Sequence, residues 1–374
     1  MIVCILANSS RYIWNFRVNL IEGIRAAGHE VIAISPLGDE VSLIESLGVR
    51  HIQLPLAPKS INPLSEIQTV RILRRLLREH CVDTIISSTP KGNLYTALSN
   101  LGTQRRQIAN VSGLGSAFLR QDWVSNVIDW IYSITFKRIS YTFFENPTDH
   151  VEFMRRGWVC KTQSEVIPGL GVDLQRFCPS PWPSYVNGET RFLMIARLIG
   201  DKGVREYVEA ARLVRQDHQS ARFDLLGDSA ADNPTGISKC ELAEWVAEGH
   251  IVHHEHIDDV RPFIAQAHCV VLPSYREGMS RSLLEGGAMG RPLIASDVPG
   301  CREAIDIQVN GLLCEPRSAA SLAEQITRFL SMSLNQQQAM GAASQRKIAA
   351  DFNECNVIQR YLEVLSVTNK KGTP

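Results

Sequence analysis

CVVLPSYREGMSRSLLEGGAMGRPLIASD, residues 269–297, reads as a buried strand, a loop, a helix and a second buried strand. CVVLPS (269–274) and PLIASD (292–297) are short apolar runs of strand length with helical spacing between them. That unit is the building block of a doubly wound α/β sheet, whose ligands sit at the carboxyl ends of the strands. Upstream, RFLMIA (191–196), RFDLLG (222–227) and HIVHH (250–254) repeat the strand pattern with helical segments between them.

A first series of the same kind begins at the amino terminus: MIVCILA, a helix-like VNLIEGIRAAGH, EVIAISP, VSLIESLG and RHIQLPL. Gly28 has the position of a helix C-cap, and EVIAI should run parallel to the first strand. Further strands are predicted at 83–88, 107–111, 141–145 and 164–168. The Pro-rich PSPWPS at 179–184 separates the two series. A chain of 374 residues is too long for one ordinary core. The expectation is two doubly wound Rossmann-like domains facing across a cleft, 1–175 and 176–351. Helical stretches at 318–332 and 336–366 follow, and residues 352–374 are expected to pack back on the first domain.

Composition excludes disordered and fibrous classes: 44% of residues are hydrophobic, 21% are charged and the net charge is zero. Residues 1–180 hold 19 Lys and Arg against 15 Asp and Glu, a net of +4, while the remainder holds 20 against 24, a net of −4. The first half is therefore the one suited to an anionic surface. Nine cysteines without a CxxC, and no leader ahead of MIVCILA, suggest reduced thiols and a cytoplasmic location. No run reaches the ~20 apolar residues of a membrane span. VIDWIYSITFKRIS at 127–140 and the basic VRILRRLLREH at 70–80 read either as ordinary domain helices or as segments touching an anionic bilayer at the inner face of the cytoplasmic membrane.

In the decisive stretch the loop carries Glu277 and Gly278 and the helix carries Glu285. Eight residues along a helix axis span about 12 Å. A glycosidase acid and nucleophile pair needs roughly 5–9.5 Å. About 12 Å instead matches the reach from the hexose to the ribose of a nucleotide sugar, with the diphosphate over the helix N-terminus. In ARLIGDKG, Arg197 and Lys202 follow a buried strand and flank a helix start, where two cations neutralise a diphosphate leaving group. His253, His254 and His256 alternate along a strand and split between its faces, which argues against a metal site. No DxD pair is present; Asp258 and Asp259 suit capping of a helix near Val260.

Taken together, the EX7E motif Glu277–Glu285, ARLIGDKG (196–203), IPGLGVDLQRF (167–177) and VPGCREAIDIQVNGLLCEP (298–316) resemble the retaining glycosyltransferases of family 4, which have the GT-B fold. The resemblance spans essentially the whole chain. It implies that Arg197 and Lys202 take the donor diphosphate, Glu277 the transferred sugar and Glu285 the ribose. The amides of Gly278 and Met279 assist, Ser280 and Leu283 join the donor site, and positions near His256 and Ile257 receive the base. It also implies a same-face mechanism without a protein nucleophile, a metal or any cofactor beyond the nucleotide sugar.

Acceptor choice is expected in the first domain. NSSRYIWNFRVNL offers Ser9, Asn15 and Arg17, with helix capping by Ser10 and a surface Arg17 as the plainer alternative. STPKGNLY offers Lys91, and VSGLGSAF offers Gly113 and Gly115. The Gly-Gly and histidine that many family members carry here are lacking. This loop set looks like the branch that extends undecaprenyl-diphosphate-linked saccharides, typically with acetamido-sugars or galactose, and the expected donor is a UDP-linked hexose or N-acetylhexosamine. Nucleic acid is not an expected partner. Two other classes stay open: a UDP-sugar 2-epimerase-like enzyme and a non-catalytic nucleotide-sugar sensor.

Overall fold

The computed structural model describes residues 1–55, 63–113, 123–230 and 233–367. Seven strands form the first sheet: β1 Ile2–Leu6, β2 Glu30–Ser35, β3 Arg50–Gln53, β4 Thr84–Ser88, β5 Arg106–Val111, β6 Tyr141–Phe144 and β7 Ser164–Val166. Six form the second: β8 Thr190–Ile195, β9 Ala221–Leu226, β10 Val252–His254, β11 Cys269–Leu272, β12 Leu293–Ser296 and β13 Gly311–Cys314. The orders are 3-2-1-4-5-6-7 and 10-9-8-11-12-13, with every pairing parallel. Strands such as β4 and β11 are buried throughout, because helices cover both faces of a parallel sheet. Both domains are therefore the Rossmann-like α/β units expected, and the strand order reverses at β1/β4 and at β8/β11.

The chain divides into two compact units, Met1–Leu170 with the chain from Asn356 onward, and Gly171–Cys355. Its two crossings run side by side. Val172 N–H donates to Phe352 O at 2.8 Å, and Glu354 N–H donates to Val172 O at 3.2 Å. Gly171 holds φ +72°, and a Cβ there would stand 2.6 Å from Glu354 Cα, so only glycine fits the approach.

Two elements differ from the sequence reading. The helical stretch expected at 336–366 is two helices, Leu334–Asp351 and Glu354–Ser366, because Phe352 leaves the helical region and Asn353 Oδ1 caps the Cys355 amide at 2.9 Å. Strand β13 was not anticipated; GLLC is a four-residue edge strand opening on a glycine, too short for a periodicity signal. The final helix buries Val357, Tyr361, Val364 and Leu365 in the core of the first unit. Arg106 holds its end, donating to Leu365 O at 3.0 Å and Val364 O at 2.7 Å.

Arg291 is fully buried. It donates to Ile264 O at 3.1 Å and Pro181 O at 2.7 Å, with its guanidinium 6.0 Å from the Trp182 ring centroid. The PSPWPS segment is thereby fixed to the second unit.

Candidate active site

Three loops at the carboxyl ends of β8, β11 and β12 are interlocked in the second unit. After β8, Gly200–Lys202 form one 3-10 turn, and Gly203 at φ +74° starts the helix Val204–Asp217 without a side-chain cap. A Cβ on Gly203 would lie 2.0 Å from Pro273 O, in the loop after β11. Asp201 O accepts from Tyr275 N–H at 2.9 Å and from Ser274 Oγ at 3.1 Å. The loop after β12 closes from the other side: Glu277 N–H donates to Pro299 O at 3.1 Å and Ser280 N–H to Gly300 O at 2.9 Å. Gly300 sits at φ +81°, where a Cβ would lie 2.6 Å from Glu277 C, Cβ and O.

The interlock brings Lys202 and Glu277 together. Lys202 Nζ donates to both carboxylate oxygens, at 2.5 and 2.7 Å, and the two side chains are 20% and 10% exposed. The sequence assigned this cation and this carboxylate to different parts of a ligand, whereas here each is the other's partner. β8 and β11 are the neighbours at which the strand order reverses, the place where open α/β sheets bind ligands. Arg197 leaves the end of β8 as an exposed side chain.

Glu277 lies in the loop, ahead of the helix Arg281–Ala288, so the axial spacing assumed for two helical carboxylates does not apply to it. Ser280 is the N-cap, its Oγ accepting from Leu283 N–H at 3.4 Å, and the first turn holds no acid. That helix end is consequently open to an anion. Gly278 and Leu283 are buried and Met279 is half-buried.

The helix approaches its neighbours through two glycines. A Cβ on Gly286 would meet Val270 Cγ2 at 2.6 Å, and one on Gly287 would meet Ile348 Cγ1 at 2.7 Å. The ~1 kcal/mol that glycine costs in a helix is the condition for placing Glu285 beside them. Glu285 is 7% exposed and accepts from Arg281 Nε at 2.6 Å. Burial raises its carboxyl pKa, with the Arg281 charge opposing.

The folded carboxyl holds its proton to higher pH than the unfolded one. Stability at this position therefore falls as pH rises through the folded value. Glu285→Gln is expected to raise the neutral-pH urea midpoint and flatten its pH dependence, while weakening nucleotide binding about tenfold to a hundredfold by calorimetry.

His256 and Ile257 follow the end of β10; His256 N–H donates to Asp228 Oδ1 at 2.9 Å, in the loop after β9. His253 pairs with Gly227 O at 2.8 Å and His254 with Asp224 Oδ1 at 2.8 Å, so the three histidines have separate partners. Asp259 Oδ1 accepts from Arg261 N–H at 3.1 Å at the start of a short helix, and Asp258 stays exposed.

In the first unit Ser9, not Ser10, caps the helix Ser10–Ala26, accepting from Tyr12 N–H at 3.1 Å. Ser10 is buried and donates to Glu40 Oε2 at 2.8 Å. Asn15 is exposed on that helix, Lys91 pairs with Glu66 at 3.1 Å, and Gly113 holds φ +117°. Gly115 lies outside the described residues. Arg17 is neither a surface residue nor open to solvent, at 1% exposure. Its Nη2 donates to Ser88 Oγ at 2.7 Å and its Nη1 to Tyr361 OH at 3.3 Å.

Tyr361 donates in turn to Asn110 Oδ1 at 3.3 Å, and Asn110 Nδ2 donates to Glu145 Oε1 at 2.7 Å. Ser88, Asn110 and Glu145 stand at the carboxyl ends of β4, β5 and β6, and none was singled out from sequence. Each is the polar residue that ends a buried apolar run, a signal the strand-end rule makes usable. Next to Ser88 in the chain stands Thr89, a β-branched residue at φ +69° that caps the helix Pro90–Ser99. Backbone strain of this kind, ~1–3 kcal/mol, collects at functional loops. Arg17→Met leaves the buried Ser88 and Tyr361 hydroxyl oxygens without their donor and is expected to cost about 1–3 kcal/mol in chemical denaturation.

Known proteins resemble both halves of the chain. Residues 13–169 match the family described as glycosyl transferase 4-like domain, and residues 189–332 match glycosyl transferases group 1. The chain is 28% identical over 379 residues, 96% of each protein, to the N,N'-diacetylbacillosaminyl-diphospho-undecaprenol alpha-1,3-N-acetylgalactosaminyltransferase of Campylobacter jejuni. Among solved structures it resembles Anabaena HepE in complex with UDP and glucose, with a TM-score of 0.81 at 17% identity over 98% of this chain and 99% of that one. The lipopolysaccharide outer core galactosyltransferase WaaB matches with a TM-score of 0.70 at 17% identity, over 98% and 99% of the two chains. With both sheets parallel, both strand-order reversals in place and family matches to each half, this chain belongs to the group 1, 4-like glycosyltransferases and has their GT-B fold.

Proposed function

We propose that this protein is a retaining, metal-independent hexosyl- or N-acetylhexosaminyltransferase. It uses a UDP-sugar and extends an undecaprenyl-diphosphate-linked saccharide in bacterial surface glycan assembly, at the inner face of the cytoplasmic membrane. The observation that carries the reading is the Lys202–Glu277 pair at the β8/β11 reversal, beside an uncompensated helix N-terminus. The Campylobacter relative supports the acceptor class, and the UDP and glucose bound to HepE are in keeping with the donor class.

In this reading the donor diphosphate takes Lys202 away from Glu277. Lys202 and Arg197 then neutralise the β-phosphate, the open end of the helix Arg281–Ala288 faces the diphosphate, and Glu285 holds the ribose diol. Glu277, released, accepts from the sugar hydroxyls. The bond from the anomeric carbon to the β-phosphate oxygen breaks, and the acceptor hydroxyl bonds to the same face of that carbon. The acceptor proton passes to the departing diphosphate, so no protein nucleophile is required. Two fixed cations at the developing oxyanion supply the main stabilisation.

The test is nucleotide release from a panel of nucleotide sugars with EDTA present, with and without lipid-linked saccharide, in wild type, Glu277→Ala and Arg197→Ala. Acceptor-dependent release that both substitutions abolish supports the assignment and names the donor. Release indifferent to both substitutions overturns the assigned site, and release that EDTA abolishes overturns the metal-free reading. Retention is read by NMR from the anomeric configuration of the product.

A further inference from the structure

Four crossovers in the first unit, β3→β4, β4→β5, β5→β6 and β6→β7, all step in one direction across the sheet order. Right-handed connections therefore lay their helices, Pro63–Glu79, Pro90–Ser99, Trp123–Thr135 and Pro147–Arg155, on one face of the sheet. They pack in that order. The first two contact each other, as do the second and third. The third and fourth join through Tyr132–Phe153, with ring centroids 5.9 Å apart, and through the Asp129–Arg156 ion pair at 2.5 Å. The basic stretch at 70–80 and the aromatic stretch ending at Arg138 thus belong to one continuous layer.

The outer surface of that layer is unusual in both charge and polarity. Trp130 is 65% exposed, Val151 63% and Ile67 51%, with Ile134 and Met154 also exposed. Each acid among the described residues of the four helices is committed. Glu66 pairs with Lys91, Glu79 with Arg75, Asp129 with Arg156, and Glu152 with Arg155 and Arg156, while Asp149 is buried against Asn146. Arg71, Arg74, Arg78, Lys137 and Arg138 are exposed and have no ionic partner among the described residues. At the end of the layer a cavity of about 370 Å³ is lined by Asn100, Thr103, Arg105, Gln107 and Arg138.

We propose that the outer surface of this four-helix layer docks on an anionic lipid bilayer. Trp130, Ile134, Val151 and Met154 enter the headgroup boundary, and the uncommitted arginines and Lys137 meet the lipid phosphates. Unpaired cations around exposed aromatic and aliphatic side chains are the complement of such a surface, because the apolar groups leave water as the charges gain counterions. The Arg105–Arg138 cavity takes the phosphate of one lipid between its two guanidinium groups. The proposal extends the reading of a lipid-linked acceptor, since it orients the first unit on the surface that holds such an acceptor.

The test is co-sedimentation of the full chain with vesicles of phosphatidylglycerol and phosphatidylcholine, against vesicles of phosphatidylcholine alone. The expected result is binding to the anionic vesicles that falls steeply with added salt. The triple variant Arg71→Glu, Arg74→Glu, Arg78→Glu should weaken it about a hundredfold, from the roughly fivefold carried by each surface charge. Trp130→Ser with Ile134→Ser should weaken it severalfold, and Arg105→Ala with Arg138→Ala should reduce the preference for anionic lipid.

All these positions except Arg105 are well exposed, and unchanged circular dichroism and nucleotide affinity establish that each variant is folded. Equal binding to both vesicle types, no binding to either, or variants that bind like wild type would overturn the proposal. Because nucleotide affinity is measured apart from vesicle binding, a failed docking surface is distinguishable from a failed transferase assignment.

Discussion

Alanine at Lys202 is expected to lower acceptor-dependent nucleotide release by about a thousandfold, the scale seen when one preorganised oxyanion partner is removed. The cation sits 2.5 and 2.7 Å from the two oxygens of Glu277, so a purely structural salt bridge is the competing explanation. The two are separable. Loss of the pair should cost about 1–2 kcal/mol of stability, because Glu277 at 10% exposure is left without its counterion. The exchanged double variant, Lys202→Glu with Glu277→Lys, restores opposite charges and should recover part of that stability. It should recover none of the activity, because the positive charge would then stand on the loop assigned to the sugar rather than on the one assigned to the diphosphate. Activity returning with stability in the exchanged variant would show that the pair only holds the loops together.

The second large effect is expected at the glycines that interlock those loops. Gly203→Ala places a Cβ 2.0 Å from Pro273 O at φ +74°, and Gly300→Ala places one 2.6 Å from three atoms of Glu277 at φ +81°. Backbone atoms cannot step aside as a side chain tip does, so each substitution should cost about 3 kcal/mol or more in denaturant titration. Each should also weaken nucleotide binding by at least about tenfold, since Lys202 precedes Gly203 directly and Glu277 is the residue struck by the Gly300 side chain. Gly28→Ala is the control. It has φ +84° but nothing within 4 Å of its Cβ, so it should cost only the ~1 kcal/mol of the left-handed conformation and leave nucleotide binding intact. Equal effects at all three positions would mean that conformation alone, and not the close approach of the loops, decides the outcome.

Much of this was legible in the order of residues. Apolar runs of strand length separated by helical spacing, as in 269–297, fix a parallel doubly wound sheet, because burial on both faces leaves no alternation for an antiparallel reading. Glu277, Glu285, Arg197 and Lys202 were picked out because they follow buried strands, where backbone geometry alone delivers them to a common edge. Asn110 and Glu145 stand at the ends of β5 and β6 in the same manner, but in no motif that marks them apart from other strand-end polar residues.

Other features depend on contacts between segments far apart in sequence, which no local pattern encodes. The Lys202–Glu277 pair joins residues 75 positions apart. The burial of Arg17 depends on Ser88 and on Tyr361, 344 positions away on the final helix. Ser9 rather than Ser10 caps the first helix because Ser10 is turned inward onto Glu40. Periodicity and strand-end position thus determined the two domains and the sheet edge at which Lys202 and Glu277 meet. The tertiary structure alone decided which charges neutralise each other and which stay open, because pairing depends on packing that brings distant side chains within hydrogen-bond reach.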